Sequence, residues 1–160
     1  MKTFIGAVAG VAVVCIAQIS LPYYSIYEAK KVVASKDAES IKSYLVTHVN
    51  FDPIKKDLTE QVTAYATERM GTELEGNPFA GLAFALVPKL SEGMVASMIN
   101  PTTISKSWAA GNTTKFDQCM LSLQGFGKAK FTCPDINFRA ESSFPTWKIV
   151  GVELKNLPKN

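Results

Sequence analysis

The sequence predicts an α+β fold: an N-terminal hydrophobic anchor helix, about four further helices, then a four-stranded antiparallel meander. Three observations predict it. An uncharged run from Phe4 to Ala17 opens the chain, and Asp-Pro and Asn-Pro pairs then punctuate a stretch of helical period. From Thr114 onward the hydrophobic period changes to two. A length of 160 residues fits one α+β domain, 22–160, behind a targeting segment, 1–21. Hydrophobic content of 47% against 19% charge belongs to a folded chain rather than a disordered one.

The first element is the targeting segment. Met1-Lys2-Thr3 gives a short positive start, and Gln18 and Ser20 are the first polar interruptions before Leu21. As a helix, Phe4 to Leu21 would extend roughly 27 Å, close to the ~30 Å hydrocarbon core of a bilayer. Tyr23, Tyr24 and Tyr27 follow where interfacial aromatics sit on a spanning helix. A retained anchor is the favoured fate, with the domain in the periplasm. The alternative is a cleaved signal peptide, for which Cys15-Ile16-Ala17 offers small residues at −3 and −1 and a cut between Ala17 and Gln18. Lipidation at Cys15 is disfavoured because Val14 precedes it and no polar tether follows.

The helices come next. One, about Tyr23 to Ser35, follows the anchor directly. Asp37 is the cap of a helix Ala38 to Val49, with Ile41, Tyr44, Leu45 and Val49 on one face and Glu39 in the first turn. Asp52-Pro53, Asn77-Pro78 and Asn100-Pro101 each read as an N-cap followed by Pro at the first helical position. They start helices at Pro53 to about Leu74, at Pro78 towards Ile99, and at Pro101 to Trp108. In the Pro78 helix Leu82, Leu86, Leu90, Met94 and Met98 recur every four residues, which assigns them to the core, facing the sheet. Pro88 is expected to kink it.

Four strands follow. Cys119, Leu121 and Leu123 alternate with polar residues, as do Ala129, Phe131 and Cys133, then Ile136, Phe138 and Ala140, and finally Trp147 and Ile149. A hairpin centred on Phe126 sets Cys119 against Cys133 and Leu121 against Phe131. A turn at Pro134-Asp135 sets Phe131 against Phe138 and Ala129 against Ala140. A third turn sets Ala140 against Trp147 and Phe138 against Ile149. Every pairing keeps the apolar residues on one face, as a one-sided sheet requires.

The chemistry legible in these residues is sparse. Cys119 and Cys133, opposed in a hairpin, fall within disulfide range, and export would supply an oxidising compartment. Closing a loop of about 15 residues is worth roughly 3 kcal/mol in the chain-entropy model. His48, the single histidine, borders the apolar face of its helix and reads as a packed ring rather than a general base. Gly125-Phe126-Gly127 joins two strands and lacks a following Lys-Ser/Thr, so it is a turn rather than a phosphate loop. Phe79 to Val87 is apolar, but Pro88, Lys89 and Glu92 interrupt it, which favours a core helix over a lipid-facing one. Asn112-Thr113-Thr114 matches a glycosylation acceptor by a pattern short enough to arise by chance. The net charge of +3 is scattered, which argues against a nucleic-acid partner. No catalytic, cofactor or metal residue is expected.

The segment Pro22 to Leu58 resembles the uncharacterised bacterial family known as domain of unknown function 2939. Pro22-Tyr23-Tyr24, Tyr27, Lys36-Asp37-Ala38 and Val49-Asn50-Phe51 with Ile54, Lys55 and Leu58 carry the resemblance. Asn50 stands where the family pattern has Asp, and Lys55 where it has Arg. The closing Trp147-Lys148-Ile149-Val150 also fits the family's end. The resemblance implies a bacterial envelope protein and supplies no activity. The order of elements is also similar to the cystatin-like and nuclear-transport-factor-2-like cones, an analogy of fold alone.

The expected function is therefore a membrane-tethered, non-enzymatic accessory or interaction domain of the envelope. Its partners would be the membrane, through the N-terminal segment, and an unknown envelope protein or apolar small molecule. A small apolar-ligand or lipid-binding module, motivated by the Leu/Met-rich fourth helix against the sheet, is the second expectation. A hydrolase of unknown substrate is the third.

Overall fold

A computed structural model describes residues 23–112, 118–143 and 146–155 of the chain. The anchor expectation for Phe4 to Leu21, the lipidation of Cys15 and the cut after Ala17 lie outside the described residues. Five helices come first among the described residues: α1, described over 23–34, α2 Ala38–His48, α3 Phe51–Glu73, α4 Ala80–Met98 and α5 Pro101–Ala109. Four strands follow, β1 Met120–Gly125, β2 Lys128–Thr132, β3 Ile136–Ser143 and β4 Thr146–Leu154, in an antiparallel meander of order β1-β2-β3-β4.

Two of the expected caps are made as read. Asp37 accepts from Ser40 N at 2.9 Å, and Asn100 Oδ1 accepts from Thr103 N at 2.9 Å with Pro101 in the first turn. Two helix starts differ from the expectation. Helix α3 begins at Phe51 with Asn50 in the N-cap position, so Pro53 falls inside the first turn, where its missing amide still costs no helical bond. Helix α4 begins at Ala80, because Asn77 Oδ1 accepts from Phe79 N (2.9 Å) and holds a turn before it. The same helix runs through Pro88 as one element.

The first two hairpins have the expected register, with Leu121 opposite Phe131, Phe131 opposite Phe138 and Ala129 opposite Ala140. The Phe126-Gly127 turn needs Gly127 at φ +73°, a left-handed conformation that costs glycine little. The third hairpin departs from the expectation by two residues at Ala140, which faces Ile149, and by three at Phe138, which faces Val152, while Trp147 faces Ser142. The register also shifts between Arg139 and Ala140, where Val150 is the extra residue of β4. That bulge reverses the parity of the strand. Trp147 and Ile149 before it, and Val152 and Leu154 after it, consequently share the inner face.

The inner face is covered in two halves. Ile54 and Leu58 of α3 pack with Val95 of α4 and Val152 of β4, surrounded by Ile136, Phe138 and Leu154. Ala129, Ala140 and Trp147, with Leu121 and Phe131, form the second cluster. Helix α2 packs on α5 and closes over this second half, fixed at its end by a parallel bridge from Val49 to Ile149.

The expectation that α4 lays its Leu/Met row against the sheet is overturned. Helix α3 covers the sheet, and α4 packs along α3 through Val87, Ser91 and Val95. Leu82, Leu86, Leu90, Met94 and Met98 all face outward, between 48% and 69% exposed. Both i,i+4 rows of this helix are rich in apolar residues, so periodicity alone does not choose between them. The smaller row lets two helices approach closely, and it is the row buried.

Candidate functional site

Cys119 and Cys133 are disulfide-bonded, with Cα atoms 4.1 Å apart, one step beyond the last ladder pair of the β1–β2 hairpin. Cys133 is buried, and its carbonyl accepts from Lys155 Nζ. The bond ties the sheet at the margin of a small cavity between α1, α2, α5 and the second sheet cluster. Ile26, Tyr44, Trp108, Phe131, Phe138 and Trp147 are among the side chains lining it, and its volume is about 70 Å³.

The two titratable side chains at this cavity hold the helices in place. Tyr44 donates from its hydroxyl to Ser25 O at 2.7 Å, which ties α1 to α2. Burial, with a lesser contribution from the Glu28 carboxylate, pushes the Tyr44 hydroxyl well above the ordinary tyrosine range, so it stays a donor. His48 stacks on Tyr44 with ring centroids 4.2 Å apart, and its Nδ1 donates to Tyr44 O at 3.1 Å. That is the packed ring expected of it. Trp147, 4% exposed, carries an indole Nε1–H with no hydrogen-bond partner.

The other predicted positions stand apart from this cavity. Gly125-Phe126-Gly127 is the hairpin turn, with Phe126 at its exposed tip. Thr113 and Thr114 of the acceptor pattern lie outside the described residues. Among the described residues no group of three or more His, Cys, Asp or Glu is placed to hold a metal ion.

The second feature is the outer face of α4, which sequence reasoning placed in the core. Together with Phe79, which is 72% exposed, its Leu/Met row forms an apolar ridge over about five turns of helix. Soluble monomeric proteins rarely expose a contiguous apolar patch of this length. The signal available in the sequence was the apolar character of α4 nearly all round, a pattern of helices with apolar surroundings on every side. Within α4 only Lys89 and Glu92 are charged. Among the described residues no single helix is long and apolar enough to cross a membrane; α4 and α5 pass that test only together, and they are bent by 55°.

Comparison with curated proteins and with solved structures finds no match, so the analogy to the cone-shaped folds rests on element order alone. Comparison with protein families does find one, over residues 11–106. That span takes in the end of the apolar N-terminal run, α1 to α4 and most of α5, and stops before the sheet and its disulfide. The chain belongs to the family described as protein of unknown function (DUF2939).

Proposed function

We propose that the chain is an exported, membrane-tethered envelope domain that works by interaction rather than by catalysis. The observation that carries this reading is the exposed apolar ridge of α4 on a domain stapled by a disulfide. The ridge supplies a surface for association, and the disulfide belongs to an oxidising compartment. The apolar run Phe4 to Leu21 supplies the tether, and in sequence only Pro22 lies between it and the described residues of α1. The side chains at the cavity hold helices together, which supports a structural role there. The domain would sit on the periplasmic side of the inner membrane, or free in the periplasm if the chain is cut between Ala17 and Gln18.

Protease protection tests the placement. The domain should resist protease in intact cells, be digested in spheroplasts, and sediment with membranes after carbonate washing. Thiol alkylation of the native protein should leave Cys119 and Cys133 unmodified until a reductant is added. Digestion that requires membrane lysis, or two freely alkylated thiols at these positions, would defeat the reading.

The unpartnered Trp147 indole beside an apolar cavity favours a second reading, a small apolar-ligand module. Size argues against it. A dry cavity of about 150 Å³ accommodates benzene, and this one holds about 70 Å³. An acyl chain would require α1 or α2 to move away. Native mass spectrometry after gentle extraction tests this, since a carrier would retain a bound small molecule.

A further inference from the structure

We infer that the outer face of α4 rests on the lipid leaflet to which the N-terminal segment tethers the chain, so that the domain lies against the membrane rather than hanging from it. This deepens the tethered reading above and rests on it.

The side chains of α4 are sorted by size. Helix α4 buries Val87, Ser91 and Val95 against α3 and leaves Leu82, Leu86, Leu90, Met94 and Met98 outside. Burial is worth about 25 cal/mol per Å² of apolar surface, so a helix whose outer side meets water gains by turning its largest apolar residues inward. Helices in lipid show the opposite order, with small residues at the helix–helix contact and bulky ones outward, because the surroundings are as apolar as leucine. Helix α4 has that order.

The chain outside the described residues points the same way. Twenty-two residues precede the described part of α1, and the apolar run among them ends at Leu21. With at most Pro22 between that run and the described helix, a membrane-seated run leaves the domain no linker with which to stand away from the bilayer. Tyr23, Tyr24 and Tyr27, between 57% and 66% exposed, lie next to that run in the sequence, where interfacial aromatics would be.

The chemistry of the ridge suits lipid. Its side chains are Phe, Leu and Met, with no Trp, Tyr or Arg of the kind that anchors protein interfaces. Flexible side chains without hydrogen-bonding groups match fluid acyl chains. Lys89 can lay its stem along the apolar surface and keep its ammonium among headgroups. Because the other side of α4 packs on α3, and α5 departs at 55°, the helix would lie in the interface, about 5–10 Å deep, rather than cross it.

The test reconstitutes the full chain into vesicles of phosphatidylethanolamine and phosphatidylglycerol that carry a photoreactive diazirine in the acyl chain. After flotation and irradiation, lipid adducts are mapped by mass spectrometry. Adducts on both the N-terminal peptide and the α4 peptide are expected. In Leu86→Glu/Leu90→Glu the α4 adducts should be lost while flotation persists. Flotation with adducts on the N-terminal peptide alone overturns the inference and leaves the tether intact. Crosslinks between Lys89 residues of two chains, formed in a parallel sample by an added amine-reactive bifunctional reagent, together with no lipid adducts on α4, overturn it in favour of a second copy. A chain that does not float defeats the tethered reading itself. The wild-type adduct map decides the matter without the variant, should that variant fail to fold.

Discussion

Gln61 pairs with Leu154 as a neighbouring strand would. Its Oε1 accepts from Leu154 N at 2.9 Å, while its Nε2 donates to Val152 O at 2.8 Å. Strand β4 is an edge strand, and an unpaired edge is a template for association with another chain. Helix α3 closes this edge with one side-chain amide, and Asn50 N closes it further back by donating to Ile149 O at 2.8 Å.

Removing that amide should therefore cost more than an ordinary surface change. Gln61→Ala should lower stability by about 1–3 kcal/mol, the penalty for leaving partly buried backbone groups unpaired. Gln61→Glu should do no better, because a carboxylate keeps an acceptor for Leu154 but faces the Val152 carbonyl. Urea unfolding measures both. Wild-type stability in Gln61→Ala would show that water replaces the amide without loss.

Gly151 and Arg139 should behave as one unit. Arg139 on β3 reaches Asp57 on α3 at 2.5 Å by passing over Gly151. A Cβ built at residue 151 would lie 2.5 Å from Arg139 Nε. Gly151→Ala should displace the guanidinium and lose the ion pair. Since 61% of the Arg139 side chain is exposed, the pair is worth no more than about 1 kcal/mol. Gly151→Ala and Arg139→Ala should each cost about that much and should not add when combined. Full additivity in the double variant would mean that the two side chains act independently.

The cap at Asp37 predicts an acid-dependent loss. Hydrogen bonds from the Ser40 hydroxyl and then the Ser40 amide hold the Asp37 carboxyl below the ordinary range. A carboxyl depressed in the folded state contributes stability above its unfolded pKa of about 3.9, and loses it as pH falls through the folded value. The melting-temperature gap between the wild-type protein and Asp37→Ala should be constant from neutral pH to about 5, then shrink below about 4. Asp37→Asn keeps a capping acceptor without the titration, so its melting temperature relative to Asp37→Ala should not change over that range. A gap that widens on acidification would contradict the assignment.

What could be read from the residues beforehand divides by the range of the interaction involved. Two hairpin registers followed from alternation, because one slip would have turned Phe131 or Ala129 to the polar face. The opposition of Cys119 and Cys133 came with them. The third register was misplaced because Ser142 to Pro145 offers more than one turn and the bulge at Val150 has no local signature. The caps at Asp37 and Asn100 are contacts three residues long and were legible. Gln61 to Val152 and Arg139 to Asp57 join residues 91 and 82 positions apart, and nothing in either neighbourhood announces them. The face of α4 was misread because periodicity counts apolar positions and does not weigh them by size.

That size rule gives the sharpest test of the fold. Val95, 5% exposed, belongs to the core cluster with Ile54 and Leu58, and Leu90 is 69% exposed on the ridge. Truncation of valine removes fewer carbons than truncation of leucine, yet the structure reverses the usual order of cost. Val95→Ala should destabilise by about 2 kcal/mol through lost transfer energy and a residual cavity. Leu90→Ala should stay within about 0.5 kcal/mol, as a surface change does. Chemical denaturation of the full chain, solubilised in a non-denaturing detergent, measures both on one scale. If Leu90→Ala proved the costlier, α4 would be turned with its Leu/Met row inward, and the ridge on which the membrane contact is built would not exist.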